Sequence, residues 1–260
     1  VTDERITQQM YALDFRQGLN DLLVLFGIGD HGGGVSEDMI ERALEFVKGK
    51  NGIKGKFSTA REYFKVLTSK VKEEEIPEIN DELYLQYHRG TYTTQAGVKR
   101  NNRRAESLLE IAEKFSSIAQ RYGYQYPSRE LEEAWKKLLL NQFHDVLPGS
   151  SIPKVYKDSE ETFKSIFETA NSIISRSLKV IASKVDTSGK GKSILIFNPL
   201  SWPRTDLVQI SLDDLGGEAE IYDEHERIVS SQLLEKDGKI IFIAEDVPPL
   251  GYKEYKAKPK

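Results

Sequence analysis

The sequence predicts a multidomain α+β chain: an α/β unit, then a three-helix bundle, then the start of an antiparallel β-domain. Three observations predict this order. A continuous apolar run, Leu22-Leu23-Val24-Leu25-Phe26, leads into a glycine-rich loop and then an amphipathic stretch. Three long segments between residues 100 and 186 repeat apolar residues at helical spacing. After a polar linker, Asp186-Thr187-Ser188-Gly189-Lys190-Gly191, the pattern changes to short β-branched runs separated by turn residues.

Taken in order, the run from Leu22 to Phe26 reads as a strand buried on both faces. The loop Gly27-Ile28-Gly29-Asp30-His31-Gly32-Gly33-Gly34 follows it. Ser36 is a good N-cap for a helix over 36–50, and Glu37 and Asp38 suit its first turn. Strand, glycine loop and helix form an α/β unit, in which ligands bind at the loop after the strand. The first bundle helix is expected over 100–121, with Leu108, Leu109, Ile111, Ala112, Phe115, Ile118 and Ala119 apolar and Gly123 as its stop. The second covers 128–143, with Leu131, Ala134, Trp135, Leu138 and Leu139 on one face. The third opens at Pro153, a favoured first-turn residue, and runs apolar from Val155 to Val185. Strands are expected at Ile194–Phe197, Val208–Ile210 and Ile240–Ile243. The resulting domains are 1–57, 58–188 and 189–260.

Composition bounds the function. The 260 residues are 38% hydrophobic and 30% charged, an ordinary globular balance. A net charge of −4 supplies no basic footprint for nucleic acid. No apolar run approaches the ~18–20 residues of a membrane-spanning helix. The chain has no cysteine, which excludes disulfides and any cysteine-built zinc site. It also has no Asn-x-Ser/Thr acceptor, and the two absences together lead us to expect a cytoplasmic protein. The start Val1-Thr2-Asp3-Glu4 reads as a cut within a longer polypeptide.

The most informative stretch is Asn141-Gln142-Phe143-His144-Asp145-Val146-Leu147-Pro148-Gly149. An imidazole and a carboxylate stand side by side where an otherwise apolar helix stops. Neutral imidazole binds transition metals, and a carboxylate binds metal or accepts hydrogen bonds from substrate hydroxyls. By itself the pair also fits a histidine that closes a helix C-terminus, its charge favoured by the helix dipole.

Four stretches, in this order, carry a family resemblance: Gly29-Asp30-His31-Gly32-Gly33-Gly34; Glu82-Leu83-Tyr84-Leu85-Gln86-Tyr87-His88-Arg89-Gly90-Thr91-Tyr92-Thr93-Thr94-Gln95; Asn141 to Ser150; and Phe197-Asn198-Pro199-Leu200-Ser201-Trp202-Pro203-Arg204, closed by Val247-Pro248-Pro249-Leu250-Gly251-Tyr252. The chain resembles the α-mannosidases of glycoside hydrolase family 38. The resemblance implies a remnant of a catalytic α/β barrel, a three-helix bundle and the start of a β-sandwich. It implies a retaining glycosidase with one zinc, held by two His and two Asp, that binds the hydroxyls of the mannose being cleaved. A metal-bound aspartate is the nucleophile and a second carboxylic acid protonates the leaving oxygen, the two-carboxylate mechanism through a covalent glycosyl-enzyme.

Carried onto this chain, the resemblance makes His144 the last zinc ligand and Asp145 the sugar-contacting aspartate. Asp30 lies in the loop that supplies the acid/base carboxylate and is the candidate for that role; the alternative is a loop aspartate capping the Gly32 or Gly33 amide. Arg89 and Tyr92 are placed at the site rim as structural or substrate-touching residues, and His88 within the bundle. His225 falls in a charged turn. Trp135 and Trp202 are read as core or interdomain anchors.

One departure matters. None of the four histidines is followed two residues later by Asp, so the family's first pair of zinc ligands is missing. A catalytic zinc needs about three protein ligands, and the isolated chain is expected to be inactive. The expected partner is an α-mannoside oligosaccharide, with no nucleic acid and no membrane; a homo-oligomer is left open. The alternatives are a non-catalytic carbohydrate-binding or scaffold module, and a related retaining glycosidase for another sugar.

Overall fold

A computed structural model describes residues 21–25, 27, 34–49, 54–76, 78–84 and 86–260. It divides into two compact units, Val1–Leu83 and Tyr84–Lys260, and has a multidomain α+β fold.

In the first unit, α1 spans Glu37–Val47 and α2 spans Ala60–Lys70. Ser36 caps α1 as the sequence predicts, its Oγ accepting from the Met39 amide at 3.3 Å. Thr59 does the same for α2, accepting from the Glu62 amide at 3.2 Å, in a Thr-x-x-Glu arrangement that the sequence reading passed over. The expected strand at Leu22–Phe26 is corrected. Residues 21–25 are irregular, and Leu25 is 81% exposed. A strand exists only by pairing, and no described segment pairs with this run.

The second unit opens with a 3₁₀ segment, Gln86–Tyr92, followed by α3 (Ala96–Gln120), α4 (Ser128–Asn141) and α5 (Pro153–Ala182). These three helices are the bundle. On α3 the buried seam is Val98, Asn102, Ala105, Leu109, Ala112, Ser116 and Ala119; on α5 it is Ser159, Phe163, Ile166, Ala170, Ile173 and Ser177. Both alternate steps of three and four, the spacing of near-antiparallel bundle packing. Leu131, Ala134 and Leu138 complete the core from α4. Each fully buried Leu, Ile or Phe contributes about 1.5–3 kcal/mol by leaving water.

Two polar members of the seam satisfy each other: Ser116 and Ser177 hydrogen-bond at 3.0 Å in full burial. One expectation for α4 is corrected: Leu139 is 59% exposed, because the inward face already turns at Leu138. Trp135 is half-buried against the bundle core, its indole N–H donating to Glu113 Oε1 at 2.8 Å.

The β-domain holds seven strands: β1 (Lys192–Phe197), β2 (Arg204–Ser211), β3 (Ala219–Tyr222), β4 (Ile228–Val229), β5 (Ser231–Leu234), β6 (Lys239–Val247) and β7 (Tyr252–Pro259), with a short helix α6 at Leu212–Leu215. The sheets are β1-β7-β3-β4 and β2-β6-β5, antiparallel throughout. Ile221, Tyr255 and Ala257 of one pack with Ile240, Phe242 and Ala244 of the other. The three predicted strands are present; β3, β4, β5 and β7 were not foreseen.

The β-domain is seated on the bundle by Phe197, which meets Phe115 edge-on at a centroid distance of 5.7 Å. Lys256 Nζ ties β7 to the linker, donating to the Thr187 and Ser188 carbonyls at 2.8 and 2.9 Å. Asn198 is buried and gathers both ends of its motif. It donates to the Trp202 and Val247 carbonyls and accepts from the Leu200 amide. Trp202 itself is 59% exposed, so it is not a core anchor: the Asn198 bond fixes its backbone and leaves its ring outward.

Among the described residues Asp223, at the turn after β3, carries the most perturbed carboxyl. Burial works to raise its pKa. This is outweighed by hydrogen bonds from the Arg227 amide and guanidinium and from the His225 amide, which bring it from 3.8 to about 2. A depressed folded-state pKa stabilises the fold above the unfolded value and is lost as pH falls toward the folded one. Asp223→Asn is therefore expected to lower the thermal midpoint at neutral pH. The gap to wild type should close between pH 4 and pH 2 (on the order of the two pKa values), as followed by circular dichroism.

Candidate functional site

The turn after α4 is built by its own backbone. The Gln142 amide closes α4, donating to Leu138 and Leu139 carbonyls at 3.1 and 3.2 Å. The Phe143 carbonyl then accepts from Val146 at 2.8 Å and Leu147 at 3.1 Å. Residues 143–146 are thus a hydrogen-bonded β-turn with His144 and Asp145 at its two central positions. Central turn residues project outward, and the two side chains are 78% and 61% exposed. His144 lies past the Gln142 cap rather than on the helix.

The imidazole Nε2 stands 3.6 Å from Asp145 Oδ2, beyond direct hydrogen-bonding range. The Phe143 ring lies against the imidazole at 4.2 Å between centroids. Neither crest side chain makes a hydrogen bond of its own to another described residue. The imidazole keeps its ring nitrogens available to a metal, and the carboxylate keeps its oxygens available to hydroxyl donors.

The structure brings this turn together with the second of the sequence motifs. Gly149 has φ +88°, and a Cβ there would lie 2.7 Å from the Thr94 carbonyl oxygen and 2.9 Å from its carbon. Only glycine permits that approach. Next to Thr94, Gln95 takes a left-handed conformation, φ 53°, and opens α3. This backbone contact joins the 141–150 stretch to Thr94, far away in sequence.

The remaining candidates are distributed as follows. Asp30 lies outside the described residues. His88 is exposed, which corrects its expected burial; it sits in the 3₁₀ segment at non-helical φ −121°, ψ 16°, off the bundle seam. Tyr92 meets Tyr84 edge-on at 4.9 Å, and the Arg89 guanidinium lies over the Tyr84 ring at 6.0 Å. His225 is in the exposed turn after β3, its amide bound to Asp223. Among the described residues no three His, Asp or Glu side chains converge on one point where a metal could sit. The His144–Asp145 corner offers one imidazole and one carboxylate, short of the three protein ligands of a catalytic zinc. The described residues therefore do not by themselves make a zinc site.

Comparison with known proteins agrees with this architecture. Residues 2–82 match the Glycosyl hydrolases family 38 N-terminal domain, and residues 86–181 match the Alpha mannosidase middle domain. The chain belongs to glycoside hydrolase family 38. It is similar to human Alpha-mannosidase 2C1, at 34% identity over 74% of this chain and 18% of that one. It is also similar to Alpha-mannosidase G of Dictyostelium discoideum, at 39% identity over 62% of this chain and 15% of that one. The chain thus spans less than a fifth of these curated relatives. A solved family 38 glycosyl hydrolase from Enterococcus faecalis superposes with TM-score 0.64 at 15% identity, over 99% of this chain and 34% of its own. At that identity the likeness is one of fold.

The Gly149–Thr94 contact is the constraint that seats the turn, and a methyl group there meets backbone, which cannot swing aside. Gly149→Ala is expected to cost more than about 1–3 kcal/mol, the positive-φ strain alone being of that order. Urea unfolding of wild type and variant measures it.

Proposed function

We propose that this chain is part of a zinc-dependent retaining α-mannosidase, which hydrolyses terminal α-mannosidic bonds through a covalent glycosyl-enzyme. The observation that carries the reading is the His144–Asp145 pair, held at the crest of a turn whose backbone is fixed and whose side chains are left free. Membership of family 38 supports it, as does similarity to relatives named as α-mannosidases.

In this reading His144 is a zinc ligand of the full-length enzyme and Asp145 binds the sugar. Bound zinc would supply Lewis acidity and hold the sugar hydroxyls. The work of the chain's own residues is to present one imidazole and one carboxylate on a rigid corner. Asp30 is proposed as the acid/base carboxylate, on the sequence alone. The substrate is an α-mannoside oligosaccharide, and the protein is placed in the cytoplasm.

Two outcomes are expected. His144→Ala in the full-length polypeptide should lower zinc content sharply by elemental analysis; undiminished zinc would remove His144 from the ligand set. The 260-residue chain alone should not turn over an aryl α-mannoside with zinc added. Clear turnover by pure chain would mean that a complete site lies within it, and would sink that part of the reading.

A further inference from the structure

The turn that carries His144 and Asp145 is tied to α3 at both ends by polar groups. At its far end Lys99 Nζ donates to three backbone carbonyls: Thr94 at 2.6 Å, Leu147 at 3.0 Å and Pro148 at 3.3 Å. At its near end Glu106 Oε1 accepts from Gln142 Nε2 at 2.8 Å and from Asn102 Nδ2 at 3.0 Å. Arg103 holds the other Glu106 oxygen at 2.6 Å. Lys99, Asn102 and Glu106 recur at i, i+3 and i+7, so the ties come from one face of one helix.

The chemistry of the far tie is specific. Three carbonyl oxygens need three donors, which an ammonium has and a water molecule has not. Burial lowers the pKa of Lys99 from its ordinary value, the expected consequence of drawing an ammonium out of water. The cation joins the two stretches that Gly149 and Thr94 bring into contact, and the anion fixes the residue that caps α4. Between them stands a crest whose own side chains make no hydrogen bond to another described residue.

We propose that Lys99 and Glu106 are positioning residues: they clamp the turn at both ends and so set the orientation in which His144 and Asp145 meet metal and sugar. This rests on the reading of His144 and Asp145 given above. A purely structural role for the clamp would leave catalysis at the wild-type rate once the protein is folded. A positioning role makes turnover fall while substrate binding changes less.

The test uses the full-length polypeptide with Lys99→Met, Glu106→Leu and Glu106→Gln. Amide hydrogen exchange is read at Val146, Leu147 and Gly149, with Ile166 and Ile173 as bundle controls. Steady-state kinetics are measured on an aryl α-mannoside. Lys99→Met and Glu106→Leu are expected to speed exchange in the turn by about tenfold or more, leave the controls unchanged, and lower kcat by about 10–100-fold, as loss of residues that support a metal ligand does. KM should move by less than about threefold on the same grounds. Glu106→Gln keeps an acceptor oxygen and should recover most of both losses. Where Lys99→Met fails to fold, Lys99→Ala with propylammonium added should regain turn protection and kcat, and absence of recovery counts against the proposal. Unchanged exchange in the turn overturns the clamp. A loosened turn with wild-type kcat overturns the positioning role. Wild-type kcat in His144→Ala overturns instead the reading of the site, while the exchange data still decide whether the clamp exists.

Discussion

The bundle depends on the burial of one face of α3 between α4 and α5. Steps of three and four keep the seam residues in line from Val98 to Ala119. Once that face is committed to the core, the orientation of every other residue on the helix is fixed. Lys99 and Glu106 then flank the seam on the side where the turn after α4 passes. The core thus determines more than stability: it sets the direction from which the turn is held. Removing the inward face of α3 would take the clamp with it.

The seam is not wholly apolar. Ser116 and Ser177 are fully buried and satisfy each other, while Asn141 donates to the Lys137 carbonyl within its own helix. A buried hydroxyl without a partner loses about 1–3 kcal/mol. Sliding α3 against α5 by a turn would orphan both serines, whereas an all-apolar seam would tolerate the slip. The hydroxyl pair therefore selects one register, and the register decides where Lys99 lies relative to Leu147 and Pro148.

Much of this was legible in the sequence, and the failures have physical causes. The bundle helices were visible because their stripes are long and periodic; their ends, such as the start of α3 at Ala96, were not, because a left-handed Gln95 gives no compositional signal. Polar seam residues such as Asn102 and Ser177 were overlooked because a pattern of hydrophobicity cannot register a group that is buried by pairing. Strand β7 was missed because only Tyr255 and Ala257 are buried on its inward face, while Glu254, Lys256 and Lys258 fill the other face. At the site, His144 and Asp145 were legible as chemistry, but Lys99 and Glu106 were not. Their partners, the backbone carbonyls of Leu147 and Pro148 and the side-chain carboxamide of Gln142, lie 36 to 49 positions away, and only the folded chain brings them near. The apolar run at Leu22–Phe26 misled because hydrophobicity marks a segment that seeks burial, not one that has a neighbouring strand.

The exposed crest has its own logic. A side chain that will bind a ligand must not be consumed by internal hydrogen bonds, yet an unrestrained one loses roughly 0.5–1.5 kcal/mol of rotamer freedom on binding, and a loose backbone loses more. The turn resolves this by restraining only the backbone. Gly149 against Thr94, the two carbonyls on Lys99 and the Gln142–Glu106 bond fix where the Cα atoms of His144 and Asp145 lie. What remains free is two torsions on each of two short side chains, one of them already limited by the Phe143 ring. The ordering cost left for the ligand is then that of a few rotamers rather than of a whole loop, which is how a site on a surface turn can be as well positioned as one on a helix.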